Sequence, residues 1–352
     1  MLGFYRTYTT PFKEQIPAFV DDFFSKVPLW KRFLRFFGRY LYVETALRKS
    51  KKVSQLTEKH KRILWIQWVD SYLGDSLMDL SSRVLFTNKK IDLLTKKYTA
   101  NIYRDDIVFK NVFTDASQCN PSDYDLLIID SYRQRSIKSF IGQLSSIPHV
   151  SLFGYYNVND FNRLYFSFYR INQLLSHPYD ERYIKDIAKP LLPITASDKS
   201  IVNKLNLPDR FIAIAIGGVW KERTFHHWDN VVDEIISRDV AKNVVLVGTK
   251  ESEKEALSIY EQHPKQVMSL VGTLSFNQTA KVISQSELLI CADGGLLHAA
   301  NAFLTPVVCL FHEINPSTRL ITSNKSVGLI EKVNIDNIKA EEIVDKVKQL
   351  KK

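Results

Sequence analysis

The chain has 352 residues, 45% of them hydrophobic, enough to build two ordinary cores at roughly one domain per 150 residues. Its 48 Lys and Arg against 38 Asp and Glu leave a formal charge of +10, which excludes an acidic chain and points to an anionic partner: nucleic acid, an acidic membrane surface or a phosphorylated substrate. Cys119, Cys291 and Cys309 are isolated and odd in number, which supports neither a disulfide framework nor a zinc site and predicts a reducing, cytoplasmic setting.

Residues 1–60 read as a basic, aromatic helical extension. Trp30, Phe33, Leu34, Phe36, Phe37, Tyr40 and Leu41 alternate with Lys31, Arg32, Arg35 and Arg39, and a basic run of Arg48, Lys49, Lys51 and Lys52 comes next. Two uses are open: the segment lies in an anionic lipid interface, or it packs its aromatics on the main body and leaves its charges in water. The sequence shows no cleavable signal and no stretch of about 18 apolar residues, so neither export by such a signal nor a membrane span is expected.

From Arg62 the pattern becomes one of short apolar runs between helical stretches, which predicts buried parallel strands at Ile63 to Trp68, Ile91 to Leu94, Asp125 to Asp130 and Val150 to Phe153. A stretch marked by Pro178, Pro190, Pro193 and Pro208 separates these from a second series at Phe211 to Ile216, Val244 to Val247, Val267 to Leu270, Leu288 to Cys291 and Val307 to Leu310. The expected organisation is the extension (1–60), a first Rossmann-like domain (61–190), a second (191–335) and a closing helix (336–352). Two open parallel sheets in tandem should bring the carboxyl ends of their strands to a shared cleft, where such sheets bind ligands.

The segment LLICADGGLLHAANAFLTPVVCLF, Leu288 to Phe311, reads as a buried strand, a tight acidic turn, a helix start and, after Pro306, another strand. Gly294 and Gly295 let an anion approach the backbone, the helix N-terminus offers N–H donors and a positive dipole end, and His298 sits about one turn in. Asp293 is either part of that anion site or simply a helix cap.

This segment resembles the donor-site signature of the bacterial heptosyltransferases, glycosyltransferase family 9, through Asp293, Gly295, Leu296, His298, Ala299, Ala300 and Pro306; Gly294 stands where the family has a hydroxyl residue. Three further stretches resemble the family in order and spacing. In RILWIQWVDSYLGDSLMDL, Gly74 and Asp75 match a Gly-Asp pair that opens a helix, and the resemblance implies Asp75 as the general base, with Asp70 as a rival. In FIAIAIGGVWKERTFHHW, the resemblance implies Lys221 as the cation for the donor phosphates; the turn before it is short, so Arg223 is the alternative. LVGT at Leu246 to Thr249 and the run from Ser269 resemble the strand ends that hold the nucleotide base and ribose, which implies Gly248, Met268, Leu270, Val271, Gly272 and Thr273.

The resemblance implies a GT-B architecture, two Rossmann-like domains facing a central cleft, and an inverting transfer of heptose from ADP-heptose to the inner core of a lipopolysaccharide or lipooligosaccharide precursor. One carboxylate then suffices as base, a cation offsets the charge on the departing diphosphate, and neither metal nor resident cofactor is required. The implied partners are the nucleotide-sugar donor and an anionic glycolipid, the lipid A–core precursor, met at the cytoplasmic face of the inner membrane with residues 1–60 as a peripheral contact. Another nucleotide sugar, or a protein or other glycan as acceptor, fits the same fold and mechanism. A basic nucleic-acid-binding protein is the remote alternative, disfavoured because no nucleic-acid motif occurs.

Overall fold

The computed structural model describes residues 28–68, 73–86, 89–154, 162–218 and 220–351. The chain divides between Ala188 and Lys189 into two compact units.

The first unit opens with helix α1 (Leu29–Ala46) and continues through strand β1 (Arg62–Gln67), α2 (Leu73–Leu80), β2 (Lys90–Thr95), α3 (Lys97–Tyr103), β3 (Phe109–Phe113), β4 (Leu126–Ile129), α4 (Gln134–Lys138), β5 (His149–Ser151), α5 (Arg163–Leu174) and α6 (Glu181–Ile187). The strands form one parallel sheet in the order β3-β2-β1-β4-β5. Both faces of the central strands are covered, so β1 is buried from Ile63 to Gln67 and β4 throughout. Trp65 of β1 anchors one face, with Phe86 and Phe109 edge-on at 6.0 and 6.4 Å between ring centroids.

The described part of the extension docks on this unit. Residues 51–53 run along the edge strand β5: His149 N–H donates to Lys51 O at 2.9 Å and Val53 N–H to His149 O at 2.8 Å. Val43 of α1 is buried, as are Leu47 and Leu56 beyond it, whereas Trp30, Phe37 and Leu41 of α1 are exposed. The edge strand gains a covering partner, which removes a row of open backbone groups.

The second unit contains α7 (Ala196–Asn203), β6 (Ile212–Ile216), α8 (Trp228–Ser237), β7 (Val244–Gly248), α9 (Glu253–Gln262), β8 (Val267–Ser269), α10 (Phe276–Ile283), β9 (Leu288–Ala292), α11 (Gly295–Phe303), β10 (Val307–His312), β11 (Ser326–Glu331) and α12 (Ala340–Lys351). Its parallel sheet has the order β11-β10-β9-β6-β7-β8. Fully buried Trp228 packs with Phe225 at 4.8 Å between centroids, and α12 closes the unit against α8 through Ile343, Val344 and Val347.

Two strands, β3 and β11, do not stand out in the sequence. Each lies at a sheet edge and is half-exposed, so neither carries the continuous apolar run of a central strand. The strand predicted over Val267 to Leu270 stops at Ser269, and Leu270 and Val271 belong to the turn beyond it.

Candidate active site

In an open parallel sheet, the crevice for a ligand lies where successive crossovers leave in opposite directions. In the second unit this point is between β6, which leads outward to β7 and β8, and β9, which leads to β10 and β11. The two loops that flank it are the turn after β6, ending in a short 3-10 turn at Lys221–Arg223, and the Asp293 loop after β9.

A charge cluster joins these loops. Arg223 Nη1 donates to Asp293 Oδ2 at 3.2 Å, and Arg319 Nε, from the segment after β10, lies 3.7 Å from Asp293 Oδ1. The Asp293 side chain is only 4% exposed, so its carboxylate is sustained by guanidinium charge rather than by water. It is not the N-cap residue of the helix. The N-cap is Gly294, which has no side chain to offer α11, whereas Ser275 and Gln278 form a full capping box on α10 and Thr195 and Asp198 one on α7. Helix α11 thus presents its first N–H groups and positive dipole end without a side-chain acceptor from its N-cap.

Gly294 has extended backbone (φ −176°, ψ −170°), and a Cβ there would meet nothing nearer than Ala292 O at 3.9 Å. The backbone itself does not require glycine here: within the protein, the position would hold a side chain without strain. Gly295 opens the helix, Leu296 is half-buried and His298 is buried one turn in. The backbone of Lys221 sits in the turn with Arg223, and its side chain lies outside the described residues.

The sequence-predicted base and ribose residues converge at the ends of β7 and β8. Gly272 N–H donates to Gly248 O at 3.0 Å, and both glycines have positive φ, +73° and +158°. A Cβ on Gly248 would lie 2.6 Å from Ile216 O, so only glycine lets β7 end beside β6 in this way. Leu270 and Val271 are buried, Met268 is half-buried, and the Thr273 hydroxyl donates to Leu270 O at 2.8 Å.

In the first unit the corresponding switch point is between β1 and β4. Asp75 and Gly74 lie in the first turn of α2, which starts at Leu73; Asp75 is therefore inside the helix, not a cap of one that begins at Ser76. Its side chain is 22% exposed and one oxygen lies 3.9 Å from Arg163 Nε. Asp70 falls outside the described residues.

One turn further along α2, Asp79 is fully buried and accepts two hydrogen bonds from Arg163, from Nε at 3.0 Å and from Nη2 at 2.5 Å. Burial pushes the Asp79 carboxyl up to about 7 although Arg163 pulls the other way. At the end of β4, buried Asp130 ties the two loops together by accepting from Trp68 N–H at 3.1 Å and from Ser131 N–H at 2.6 Å. Burial also raises the Asp130 carboxyl, and it lowers the neighbouring Arg133 guanidinium, with Arg163 adding to the effect.

Asp79, Asp130, Arg163 and Arg319 do not emerge from the sequence. Asp79 and Asp130 carry a usable signal, an acid four residues after Asp75 and an acid closing a buried strand; Arg163 and Arg319 carry none, since their partners are distant in the chain. Among the described residues no three His, Cys, Asp or Glu side chains gather as metal ligands do. Asp125, just before β4, accepts from Arg62 Nη2 at 2.8 Å.

Two tandem parallel α/β units with loop-borne charged residues at the strand ends are the architecture of the GT-B glycosyltransferases. Glycosyltransferase family 9 (heptosyltransferase) matches residues 141–348, more than half of the chain, and the chain belongs to that family. Among solved structures it is similar to a family 9 glycosyltransferase from Veillonella parvula (TM-score 0.66, 13% identity, 85% of this chain and 99% of that one). It is also similar to the Escherichia coli ADP-heptose lipopolysaccharide heptosyltransferase II (0.63, 15%, 82% and 98%) and to the E. coli heptosyltransferase WaaC with ADP (0.58, 13%, 82% and 97%). No curated protein matches the sequence significantly. Among the described residues no helix is long and apolar enough to cross a membrane.

Proposed function

We propose that this glycosyltransferase is inverting and metal-independent and moves a heptose from ADP-heptose to the inner core of a lipopolysaccharide or lipooligosaccharide precursor. The observation that carries the reading is the Asp293 loop, where a helix start with glycine as its N-cap and the Arg223 guanidinium meet at the switch point of the second sheet. A diphosphate bound there accepts hydrogen bonds from the first N–H groups of α11 and gains the charge of Arg223, with Lys221 two residues earlier in the chain. As the glycosidic bond to the donor breaks, negative charge grows on the departing diphosphate, and these donors stabilise it. The turns that contain Gly248 and Gly272 receive the nucleoside.

Inverting transfer needs one base to take the acceptor hydroxyl's proton as that oxygen attacks the anomeric carbon opposite the leaving group. Asp75 fits the role because it is a part-exposed acid at its sheet's switch point, while Asp79 is buried against Arg163. The sugar nucleotide is a substrate, and no resident cofactor is part of the proposal. Exposed Trp30, Phe37 and Leu41 on α1, with exposed Arg48, Lys49 and Lys51 after them, support peripheral contact with an anionic membrane at its cytoplasmic face, where the glycolipid acceptor lies.

Thermal melting with a panel of sugar nucleotides tests the reading, since a ligand at 100 times its dissociation constant adds about 2.7 kcal/mol of stability. ADP-heptose and ADP should raise the melting temperature. A shift with uridine nucleotides alone would change the donor, and no shift with either class would remove the donor-site assignment.

A further inference from the structure

We infer that Arg319 is a positioning residue of the donor loop: it keeps the Asp293 carboxylate neutralised so that Arg223 can turn from that carboxylate to the phosphates of a nucleoside diphosphate. The inference rests on the reading of this loop as the diphosphate site.

The two arginines that face Asp293 are built differently. Arg319 is buried: its guanidinium donates to Thr318 O at 3.2 Å, its own carbonyl accepts from the buried Asn301 side chain at 3.3 Å, and its N–H donates to Pro316 O at 3.0 Å. It is anchored on three sides. Arg223 has a side chain 36% exposed and belongs to a three-residue 3-10 turn. It can rotate without breaking a packed core, and its bond to Asp293 is exchangeable.

The charge balance sets the role of each arginine. A carboxylate that is 4% exposed needs a cation, and left alone it would repel an incoming diphosphate at the same loop. One guanidinium would be taken up by Asp293 and leave no arginine for the ligand. With two arginines at one carboxylate, Arg223 is available to phosphate while Arg319 remains with Asp293. Arg319 thereby supports anion binding without touching the anion.

A double-mutant cycle on the full chain, with ADP and UDP as the titrated probes, reads this directly. Arg319→Met should weaken binding of the better probe about tenfold when residue 293 is Asp, because Asp293 then retains Arg223, and by less than about twofold in the Asp293→Asn background. Asp293→Asn alone should bind that probe at least as tightly as the unchanged chain, and this variant leaves Arg319 in place should Arg319→Met not fold. Equal losses in both backgrounds, no loss in either, or a tenfold loss in Asp293→Asn alone would overturn the inference. If the unchanged chain binds neither probe, the donor-loop reading itself falls and this inference with it.

Discussion

Arg163 grips Asp79 with two hydrogen bonds, 3.0 and 2.5 Å, in a site closed to solvent, and its guanidinium stacks 4.4 Å from the centroid of Phe153. The same guanidinium passes 3.9 Å from Asp75, one helical turn earlier and 22% exposed. A single arginine thus serves two acids in different environments. Asp79 has all its charge compensation inside the protein, while Asp75 keeps access to solvent at the end of the sheet.

That division predicts how the two acids differ on mutation. Asp75→Ala should lower turnover by about 10²–10⁴-fold while leaving the dissociation constant of ADP nearly unchanged. Titration calorimetry beside a steady-state assay checks it, and parallel loss of binding and turnover would make Asp75 structural.

Arg163→Met should destabilise the first unit by about 3–5 kcal/mol, because it leaves the Asp79 carboxylate buried without its cation. Adding Asp79→Leu should recover most of the loss, since an apolar pair carries no unpaired charge. Denaturant unfolding of the single and double variants above pH 7 measures both, and a mild effect of Arg163→Met there would show that Asp79 does not stay charged in the variant.

Gly294→Ser should fold as well as the unchanged chain, within about 0.5 kcal/mol, because the backbone is extended and the space for a Cβ is open. The added hydroxyl would stand at the N-cap of α11, where it can donate to a bound phosphate, and ADP affinity should stay equal or tighten by up to about tenfold. Weaker binding by Gly294→Ser would show that a ligand lies against the glycine itself.

Gly248→Ala should behave in the opposite way and cost about 1–3 kcal/mol, since φ is +158° and the new Cβ would collide with Ile216 O. Thermal melting of the two glycine variants side by side separates a glycine required by the backbone from one that is not.

A pH dependence arises from His149, which is buried on β5, hydrogen-bonded to Ser50 at 2.6 Å and held down to about 4 by burial, with Lys52 adding to the effect. The folded pKa lies below the unfolded value of about 6.5, so the folded chain binds fewer protons between these limits. Stability is fully present above about 6.5 and is lost as the pH falls through about 4, by at most about 3 kcal/mol. Asp79 has the opposite sign, its raised pKa favouring the folded state below the ordinary carboxylate range and costing stability as the pH rises through about 7. Comparison with His149→Gln isolates the histidine: the variant should lose less stability on going from pH 7 to pH 4. An unchanged slope would mean that His149 takes up its proton without leaving its site.

The central strands were legible in the sequence because they are covered on both faces and therefore written as unbroken apolar runs, from Ile63 to Ile66 in β1 and Val244 to Val247 in β7. The edge strands β3 and β11 were not, since one side of each meets solvent and the apolar run breaks up. The Asp293 loop was legible for a local reason too: strand, turn and helix start are contiguous, so one segment contains the whole device. By itself the sequence also determined the family resemblance, through residues that stand at fixed short spacings.

Which charge meets which was decided only by the tertiary structure. Arg163 and Asp79 are 84 positions apart, and Arg223 and Asp293 are 70 apart, so no local spacing links them. The sheet order links Arg223 to Asp293, because it places β6 beside β9 and so brings the loops after them together. Burial then selects the partners, since a carboxylate withdrawn from water persists only beside a cation, and Asp293 is held by Arg223 and Arg319 for that reason.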